Sequence, residues 1–258
     1  EYDESGFSTL VEMQSKHFWY LGRHRFLLRS LRSHATAPEL KLIDLGGGVG
    51  GWVQYLMKHE PKRFTAGEVA MGDSSAVAVA EARKILPDSA AVYQTDLMNL
   101  GWKERWDVIF LLDVIEHCPD DTAIMRQVYE ALKPGGKVIV ATPAFMAFWS
   151  HNDDFAQHLR RYTRGDYRRL AAETGFSLRD SRYFMFFLSP LYWLSRKTKG
   201  KTMTAEQLER AIQKEHQTPH PLLNWLLGLV FKAETPVGHW LRFPWGTSVL
   251  GVFEKPRD

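Results

Sequence analysis

LIDLGGGVGG, at residues 42–51, is the stretch of this sequence that decides the fold. Four residues typical of a buried strand lead into a run with five glycines, and a helical pattern over 50–59 follows. Glycines at such a turn let the backbone bend sharply and let a bound molecule approach the main chain closely. The helix that follows offers free N–H groups at the same place. The stretch therefore predicts a strand–turn–helix unit that binds a small ligand.

Strands and helices alternate around this unit. The pattern predicts further strands at 64–69, 91–93, 108–112 and 137–141, and helices at 8–33, 75–86, 121–132 and 163–174, with a turn at 134–136. Such alternation is typical of βαβ units and a parallel sheet. After Gly175 the alternation stops, and strands are expected at 176–187 and 247–253. We therefore predict an α/β fold whose last two strands are separated by an insertion.

The domain organisation follows from these changes of pattern. We expect an N-terminal helical cap at 1–37, an α/β core at 38–187, a helical lid insertion at 188–246, and a final core strand within 247–258. The insertion is rich in Trp, Leu, Pro and Lys, and its apolar surface must be covered. We expect it to pack on the sheet as a lid, with peripheral contact to a membrane or a lipid-like ligand as the alternative.

Composition excludes several classes of protein. Of the 258 residues, 45% are hydrophobic and 24% are charged, which is ordinary globular composition. The net charge of +3 is too small to indicate a nucleic-acid partner. A single cysteine, Cys118, excludes an intrachain disulfide framework and a multi-cysteine zinc site. With no apolar stretch of about 18 residues and an acidic rather than basic start, we expect a cytoplasmic protein.

Three acidic residues narrow the choice of ligand. Gly46, Gly48 and Gly51 also fit the dinucleotide-binding spacing, which alone is a weak indication. Asp44 at the strand end would repel a pyrophosphate but would pair with the ammonium group of S-adenosylmethionine. Asp73 and Asp96 follow the second and third strand regions, where carboxylates reach ribose hydroxyls and an adenine amino group. A dinucleotide and S-adenosylmethionine both remain possible ligands, and the three acids favour S-adenosylmethionine.

The same residues resemble the class I S-adenosylmethionine-dependent methyltransferases over about residues 40–187 and the final strand. The resemblance implies a Rossmann-like, seven-stranded mixed sheet whose last strand is antiparallel. It further implies that the methionine part of the cofactor lies against Asp44, Gly46, Gly48 and Gly50, the ribose against Asp73, and the adenine against Asp96 and Leu97, with Asp113 also at the cofactor. Glu68 is the alternative ribose ligand if the second strand ends early.

A second cluster of candidates follows the fourth and fifth strands. Asp113-Val-Ile-Glu116-His117 and His158 resemble segments of the ubiquinone-biosynthesis O-methyltransferases and of the small-RNA 2′-O-methyltransferases. The resemblance implies a divalent metal held by Asp113, Glu116, His117 and His158, whose oxygen and imidazole ligands suit Mg²⁺, Mn²⁺ or Zn²⁺. Two alternatives stay open, a histidine general base and a structural role. Our catalytic candidates are Glu116, His117 and His158.

These observations predict methyl transfer from S-adenosylmethionine to a small aromatic or hydrophobic molecule, with oxygen as the expected acceptor atom. The alternatives are methylation at nitrogen or carbon, a nicotinamide-dependent oxidoreductase, and a cofactor-binding module without activity. Arg160 and Arg161 are candidates for holding an anionic group of the substrate. Six tryptophans are expected around the mouth of the cofactor site: Trp19, Trp149, Trp193, Trp225, Trp240 and Trp245.

Overall fold

The computed structural model describes residues 7–61, 68–197 and 218–257 of the chain. Seven strands are present in this part of the chain: β1 Leu42–Leu45, β2 Val69–Asp73, β3 Ala90–Gln94, β4 Trp106–Leu112, β5 Leu132–Pro143, β6 Ser177–Phe184 and β7 Ser248–Glu254. The same part contains the following α-helices: α1 Phe7–Lys16, α2 Phe18–His34, α3 Gly51–His59, α4 Ala76–Ile85, α5 Asp121–Ala131, α6 His151–Phe155, α7 Arg164–Thr174, α8 Ser189–Lys197 and α9 Pro221–Trp240.

The strands form one mixed sheet in the order β3-β2-β1-β4-β5-β7-β6. Strand β4 lies at the centre and β1 lies next to it, where Asp44 pairs with Met71 of β2 and Phe110 of β4 in parallel register. Strand β7 runs antiparallel to both β5 and β6. The predicted seven-stranded sheet with an antiparallel last strand is therefore confirmed.

Two local predictions about the strands are wrong. The second strand is Val69–Asp73 rather than 64–69, and residues 62–67 lie outside the described part of the chain. Gly72 lies within the strand, paired with Leu45 and Tyr93, and its packing requires a glycine because a Cβ there would meet Thr95 Cγ2 at 2.7 Å. Strand β5 begins at Leu132, so residues 133–136 form an irregularity within the β4–β5 pairing instead of a separate turn.

Helices cover both faces of the sheet, because successive side chains of each strand point to opposite sides. One core contains side chains of α2, α3 and α9 around Phe110, and the other contains side chains of α5 and α7 around Ile109. Helix α2 is part of the first core, since Phe26 and Leu31 are fully buried. The N-terminal helices and the helical insertion are therefore present, whereas the exact boundaries of the four parts stay a prediction.

Helices α2 and α9 lie side by side. Gly22 in α2 is required by this contact, because a Cβ there would lie 2.0 Å from Cδ1 of Phe231 in α9. Asn224 fixes the start of the pair: its Oδ1 accepts a hydrogen bond from the Phe18 amide at 2.9 Å, and its Nδ2 donates to the Lys16 carbonyl at 2.9 Å. The insertion thus holds the N-terminal helices in place against the sheet.

Candidate active site

The glycine loop lies at the carboxyl edge of the parallel strands, where open α/β sheets bind their ligands. Gly46, Gly48 and Gly50 have φ angles of +72°, +56° and +82°, a region that disfavours side chains. A Cβ at Gly46 would also lie 2.6 Å from Cγ2 of Val114. The loop therefore leaves bare backbone at the carboxyl end of β1, while its contact with a ligand stays a prediction.

Asp73 holds this loop in position from the end of β2. Its Oδ2 accepts a hydrogen bond from the Gly48 amide at 2.9 Å, and its Oδ1 accepts one from the Ser75 amide at 2.9 Å. Glu68, the alternative ribose ligand, precedes β2 at the opposite edge of the sheet, where it pairs with Arg105 at 2.7 Å. The strand therefore ends at Asp73, beside the glycine loop.

Asp96 and Leu97 follow β3 next to Asp73. The connection is direct, because the Thr95 amide donates to the Asp73 carbonyl at 2.9 Å. Asp96 is exposed and its Oδ1 accepts a hydrogen bond from the Met98 amide at 2.9 Å. Leu97 is half-buried against the second core. The two residues predicted at the adenine thus lie along the same edge as the residues predicted at the ribose.

Asp44 is a buried carboxyl group that lacks a cation partner. Its side chain is 3% exposed, and Oδ1 has no hydrogen-bond partner among the described residues. Burial is the main cause that raises the pKa of Asp44 to about 8; the charge of Arg23 opposes it, and the nearby Asp73 and Asp113 add to it. An ammonium group beside Oδ1 would supply the missing partner. The residue therefore fits the amino group of S-adenosylmethionine.

Arg23 is a site residue that the sequence reasoning missed. It projects from α2 and forms an ion pair with Asp113, and its side chain is 7% exposed. Its guanidinium lies over the rings of Trp19 and Tyr20, at 4.8 Å and 5.5 Å from their centroids. One signal in the sequence was available: Arg23 precedes the buried Leu27 by four positions, which places it on the inward side of α2. A charged side chain on the buried side of a helix is expected to have a partner of opposite charge.

Asp113 follows β4 in a strained backbone conformation. Its φ is +56°, which is uncommon for a residue with a side chain, and its amide donates to the Ala141 carbonyl at 2.8 Å. Strain of this kind persists where the surrounding structure enforces it, and it is frequent at functional sites. Here it accompanies the ion pair to Arg23 beside the glycine loop.

A compact cluster after the carboxyl end of β4 consists of Glu116, His117 and His158. One potential ligand atom from each lies within 4.8 Å of the others. Glu116 is fully buried, and neither of its carboxyl oxygens has a hydrogen-bond partner among the described residues. Burial and, secondarily, Asp113 raise the pKa of Glu116 well above its usual range. The three catalytic candidates are therefore neighbours, whereas Asp113, the fourth predicted metal ligand, lies outside the cluster and pairs with Arg23.

The two histidines of the cluster are oriented by the protein. Nδ1 of His158 lies 2.9 Å from Oδ1 of Asp153. Burial alone would raise the pKa of Asp153, but hydrogen bonds from His158 and Arg161 hold that pKa well below its usual range. The carboxylate can only accept, so Nδ1 of His158 carries the proton of this hydrogen bond and Nε2 points away from Asp153. Burial and then the neighbouring His158 lower the pKa of His117, which keeps that ring neutral at pH 7.

The two arginines expected to hold an anionic substrate have internal partners instead. Arg161 is buried and binds Asp153 through two hydrogen bonds of 2.7 and 3.0 Å. Arg160 pairs with Asp121 at 3.3 Å and donates to the Pro119 carbonyl at 2.8 Å. Both therefore stabilise the segment that carries His158, and their role in binding an anionic group stays a prediction.

The expected ring of tryptophans is also only partly present. Trp19 lies against Arg23 at the site, at 4.8 Å. Trp225 and Trp240 are 59% and 82% exposed on the outer side of α9, so they do not enclose a pocket. The helical period decides this outcome, because Phe231 and Glu234 of the same helix point inward.

The strand order, the glycine loop and the acidic carboxyl edge together define the class I S-adenosylmethionine-dependent methyltransferases. The sequence matches the methyltransferase domain family over residues 14–181, which is more than half of the chain. The chain belongs to this family.

Curated relatives cover the core of the domain. The ubiquinone biosynthesis O-methyltransferase of Rhodopseudomonas palustris is 29% identical over 117 residues, which are 44% of this chain and 44% of that protein. Phosphoethanolamine N-methyltransferase 2 of Caenorhabditis elegans is 29% identical over 106 residues, which are 40% of this chain and 24% of that protein. The matched segment thus spans less than half the length of these relatives.

Solved structures show the same fold. Phosphoethanolamine N-methyltransferase 2 of Haemonchus contortus, solved in complex with S-adenosyl-L-methionine, superposes on this chain with a TM-score of 0.63. A second structure of the same protein superposes with a TM-score of 0.61. That match has 17% sequence identity and covers 99% of this chain and 58% of the other. At this identity the likeness establishes the fold.

Proposed function

We propose that this protein transfers the methyl group of S-adenosylmethionine to a small aromatic or hydrophobic molecule, with oxygen as the acceptor atom. The observation that carries the proposal is the buried Asp44 carboxyl, which has an unpartnered oxygen directly below a bare glycine loop. A nicotinamide dinucleotide would bring a pyrophosphate to that acid, and like charges there are unfavourable. An amino acid's ammonium group is favourable at the same place.

Each part of the cofactor has residues that suit it. Asp44 would accept from the ammonium group, and the Arg23 guanidinium, which sits among Asp44 and Asp113, would pair with the carboxylate. Asp73 would accept from the ribose hydroxyls, since each carboxylate oxygen has a second lone pair beyond its backbone contact. Asp96 and Leu97 would lie against the adenine.

Methyl transfer to a hydroxyl requires that the acceptor be positioned in line with the methyl group and that one group accept the hydroxyl proton. When bound, S-adenosylmethionine supplies an electrophilic methyl carbon whose bond to sulfur breaks with the electron pair remaining on sulfur. An acceptor hydroxyl that forms the new C–O bond must lose its proton. His117 is neutral and stands beside Glu116 and His158, so its ring can take that proton as a general base. In-line positioning of the acceptor supplies the rest.

A divalent metal is the second candidate for activating the hydroxyl, and one observation favours it. Glu116 is a fully buried carboxyl group whose oxygens have no hydrogen-bond partner among the described residues, and it lies beside two imidazoles. The Asp153–His158 contact is the arrangement that commonly orients a metal-bound histidine. Glu116, His117 and His158 would hold the ion, which would lower the pKa of a bound hydroxyl. Asp113 would not take part.

The acceptor is inferred from chemistry. Methylation of a hydroxyl requires a base that removes its proton, and His117 of the cluster can be that base. The named relatives include an O-methyltransferase as well as an N-methyltransferase. The half-buried rings of Trp19 and Tyr20 meet edge to face at 4.8 Å next to Arg23 and add aromatic surface beside the site. This supports an aromatic hydroxyl over a phosphorylated amine.

Titration calorimetry with S-adenosylmethionine tests the cofactor, with NADH as the competing ligand. We expect binding of the first and not of the second, and strongly weaker binding by Asp44→Asn than by Asp88→Asn, which changes an exposed aspartate away from the site. Transfer of labelled methyl to a catechol and to phosphoethanolamine, assayed in parallel, tests the acceptor. Absence of S-adenosylmethionine binding by the wild type would overturn the proposal, and transfer to the amine alone would overturn the acceptor atom.

A further inference from the structure

Helix α9 carries a continuous apolar surface on its outer side. We call this surface the α9 face; it comprises Leu222, Leu223, Trp225, Leu226, Leu229 and Trp240, all of which are exposed. The helix has 20 residues, so this face extends over about 30 Å at 1.5 Å per residue. Exposed apolar surface of this extent in a soluble domain marks a site of interaction.

The outward orientation of the α9 face is fixed by contacts on the other side of the helix. Phe231 is fully buried against Gly22 of α2. Glu234, also fully buried, accepts a hydrogen bond from the Phe187 amide at 2.9 Å through Oε2. Rotating the helix to bury the α9 face would break both contacts, so its apolar side chains stay outside.

The exposed charges on α9 and α2 beside the α9 face are cations; just beyond α9, Arg242 is exposed although it lies 3.5 Å from the buried Asp180. Glu234 is the one acidic residue of α9 and is buried, and α2 alongside contains none. Lys232 is exposed at the margin of the face. Arg29 of α2 and Arg242 just beyond α9 are exposed near its end, where Arg29 acts electrostatically on His239. The surface thus combines apolar side chains with cations and lacks exposed carboxylates on either helix.

We propose that the α9 face binds the surface of a bilayer that contains anionic lipids, with α9 lying in the plane of the interface. Trp225 and Trp240 have the amphipathic rings that prefer the headgroup level, and Lys232, Arg29 and Arg242 would face lipid phosphates. No helix in the described ranges is long and apolar enough to cross a bilayer, which fits a helix lying on it. A second copy of the chain would instead bring the exposed Lys232 and Arg29 of two such faces together, without an exposed carboxylate of α2 or α9 between them.

Flotation with lipid vesicles tests this proposal without measuring catalysis. The probes are vesicles of phosphatidylcholine alone and vesicles that also contain phosphatidylglycerol. We expect the protein to float with the second kind, and to do so less at high salt because the phosphate contacts are screened. The double variant Leu226→Ser/Leu229→Ser and the variant Trp240→Ser should each lose about tenfold or more in vesicle affinity, because the buried apolar area is reduced. Lys232→Glu should weaken binding to the anionic vesicles only.

Two matched variants serve as controls. Met98→Ser changes an equally exposed apolar side chain after β3, at the opposite edge of the sheet, and Lys84→Glu reverses an exposed charge on α4. Both should float like the wild type, and circular dichroism should show all variants folded. Failure of the wild type to bind anionic vesicles overturns the proposal, and so does equal binding by the α9 variants. Sedimentation that shows a dimer which the α9 variants dissociate, without vesicle binding, would assign the face to a second copy instead.

Discussion

Arg23 of α2 and Asp113 after β4 form an ion pair across the glycine loop. The pair joins the N-terminal helices to the carboxyl edge of the sheet, although the two residues are 90 positions apart in the sequence. Asp44 lies close enough for the Arg23 charge to act on its pKa. A single guanidinium therefore stands between two acids at the place where a charged amino-acid moiety would bind.

Arg23→Ala should weaken binding of S-adenosylmethionine by about tenfold to a hundredfold. The reason is that a charge-assisted hydrogen bond to the cofactor carboxylate is lost, worth about 1.5–3 kcal/mol. Arg23→Lys should recover part of the affinity, because it keeps the charge but not the planar fork. Calorimetry measures both, and Arg29→Ala on the exposed side of the same helix is the control. Unchanged affinity in Arg23→Ala would show that the ion pair serves only to attach α2.

Cofactor binding should release a proton from Asp44. Because burial raises the pKa of Asp44 to about 8, the ligand-free carboxyl is mostly protonated near neutral pH. An ammonium partner lowers that pKa, so binding expels the proton, and the affinity should rise from about pH 6 to about pH 7.5. Calorimetry at about pH 6.5 in two buffers of different ionisation enthalpy measures the release. Asp44→Asn should abolish it; release that persists in the variant would contradict the assignment.

The same shift makes a prediction about stability. A carboxyl whose folded pKa lies above its unfolded value stabilises the fold at low pH, and this contribution is lost as the pH rises toward the folded pKa. The ligand-free wild type should therefore lose stability from about pH 4 to about pH 8 relative to Asp44→Asn. Urea denaturation of both proteins at several pH values measures the difference. A difference that is constant across this range would show that Asp44 titrates normally.

His117→Asn should lower kcat by about 10²–10⁴-fold, because a general base contributes that much to proton removal. The affinity for S-adenosylmethionine should stay the same, since His117 belongs to the acceptor cluster. Steady-state methyl transfer to a catechol separates the two parameters. His151→Asn, which changes a half-exposed histidine on α6, should behave like the wild type. An equal loss in both variants would exclude a specific role for His117.

Removal of metal decides between the two ways of activating the hydroxyl. If Glu116, His117 and His158 hold a divalent ion, EDTA should abolish transfer and Mg²⁺, Mn²⁺ or Zn²⁺ should restore it. Elemental analysis should then find about one ion per chain in the wild type and less in Glu116→Gln. Activity that is unaffected by EDTA in metal-free protein would leave the general base as the mechanism.

Gly22→Ala should destabilise the protein, because the added Cβ would overlap the Phe231 ring in α9. Overpacking of this kind costs about 1–3 kcal/mol, more than the gain in helix propensity of up to about 1 kcal/mol. Thermal unfolding should show a lower Tm. Gly228→Ala is the matched control across the same pair of helices, since its Cβ would lie 3.8 Å from the Phe18 Cβ. A Tm that rises in both variants would mean that α9 does not pack on α2 in solution.

Much of the sheet could be predicted from the sequence. Strand β1 lies at Leu42–Leu45 as predicted, because an apolar run before a glycine turn has few other solutions in an α/β protein. The prediction failed at β2, which was expected at 64–69 and extends to Asp73. Gly72 and Asp73 belong to the strand because they pair with β1 and β3, which is a property of the tertiary structure and not of local propensity.

The site divides in the same way. The positions of Asp44 and Asp73 could be predicted, because both lie near the carboxyl end of a parallel strand and these ends share one edge of the sheet. The Glu116–His117 segment was identified too, but its partner Asp153 was not, because nothing local shows that a carboxylate five positions away would orient His158. Arg160 and Arg161 are candidates for binding an anionic group, and their ion pairs with Asp121 and Asp153 could not be read from the sequence.

The sequence by itself determined the class of fold, the glycine loop and the three acids along the carboxyl edge, because these depend on the periodicity of strands and on the chemistry of single positions. Only the tertiary structure decided that Arg23 enters the site from α2, that Asp113 pairs with it rather than joining Glu116, and that the α9 face stays outside. Each of these depends on which segments meet in space, since a charge or an apolar side chain takes its role from the partner beside it.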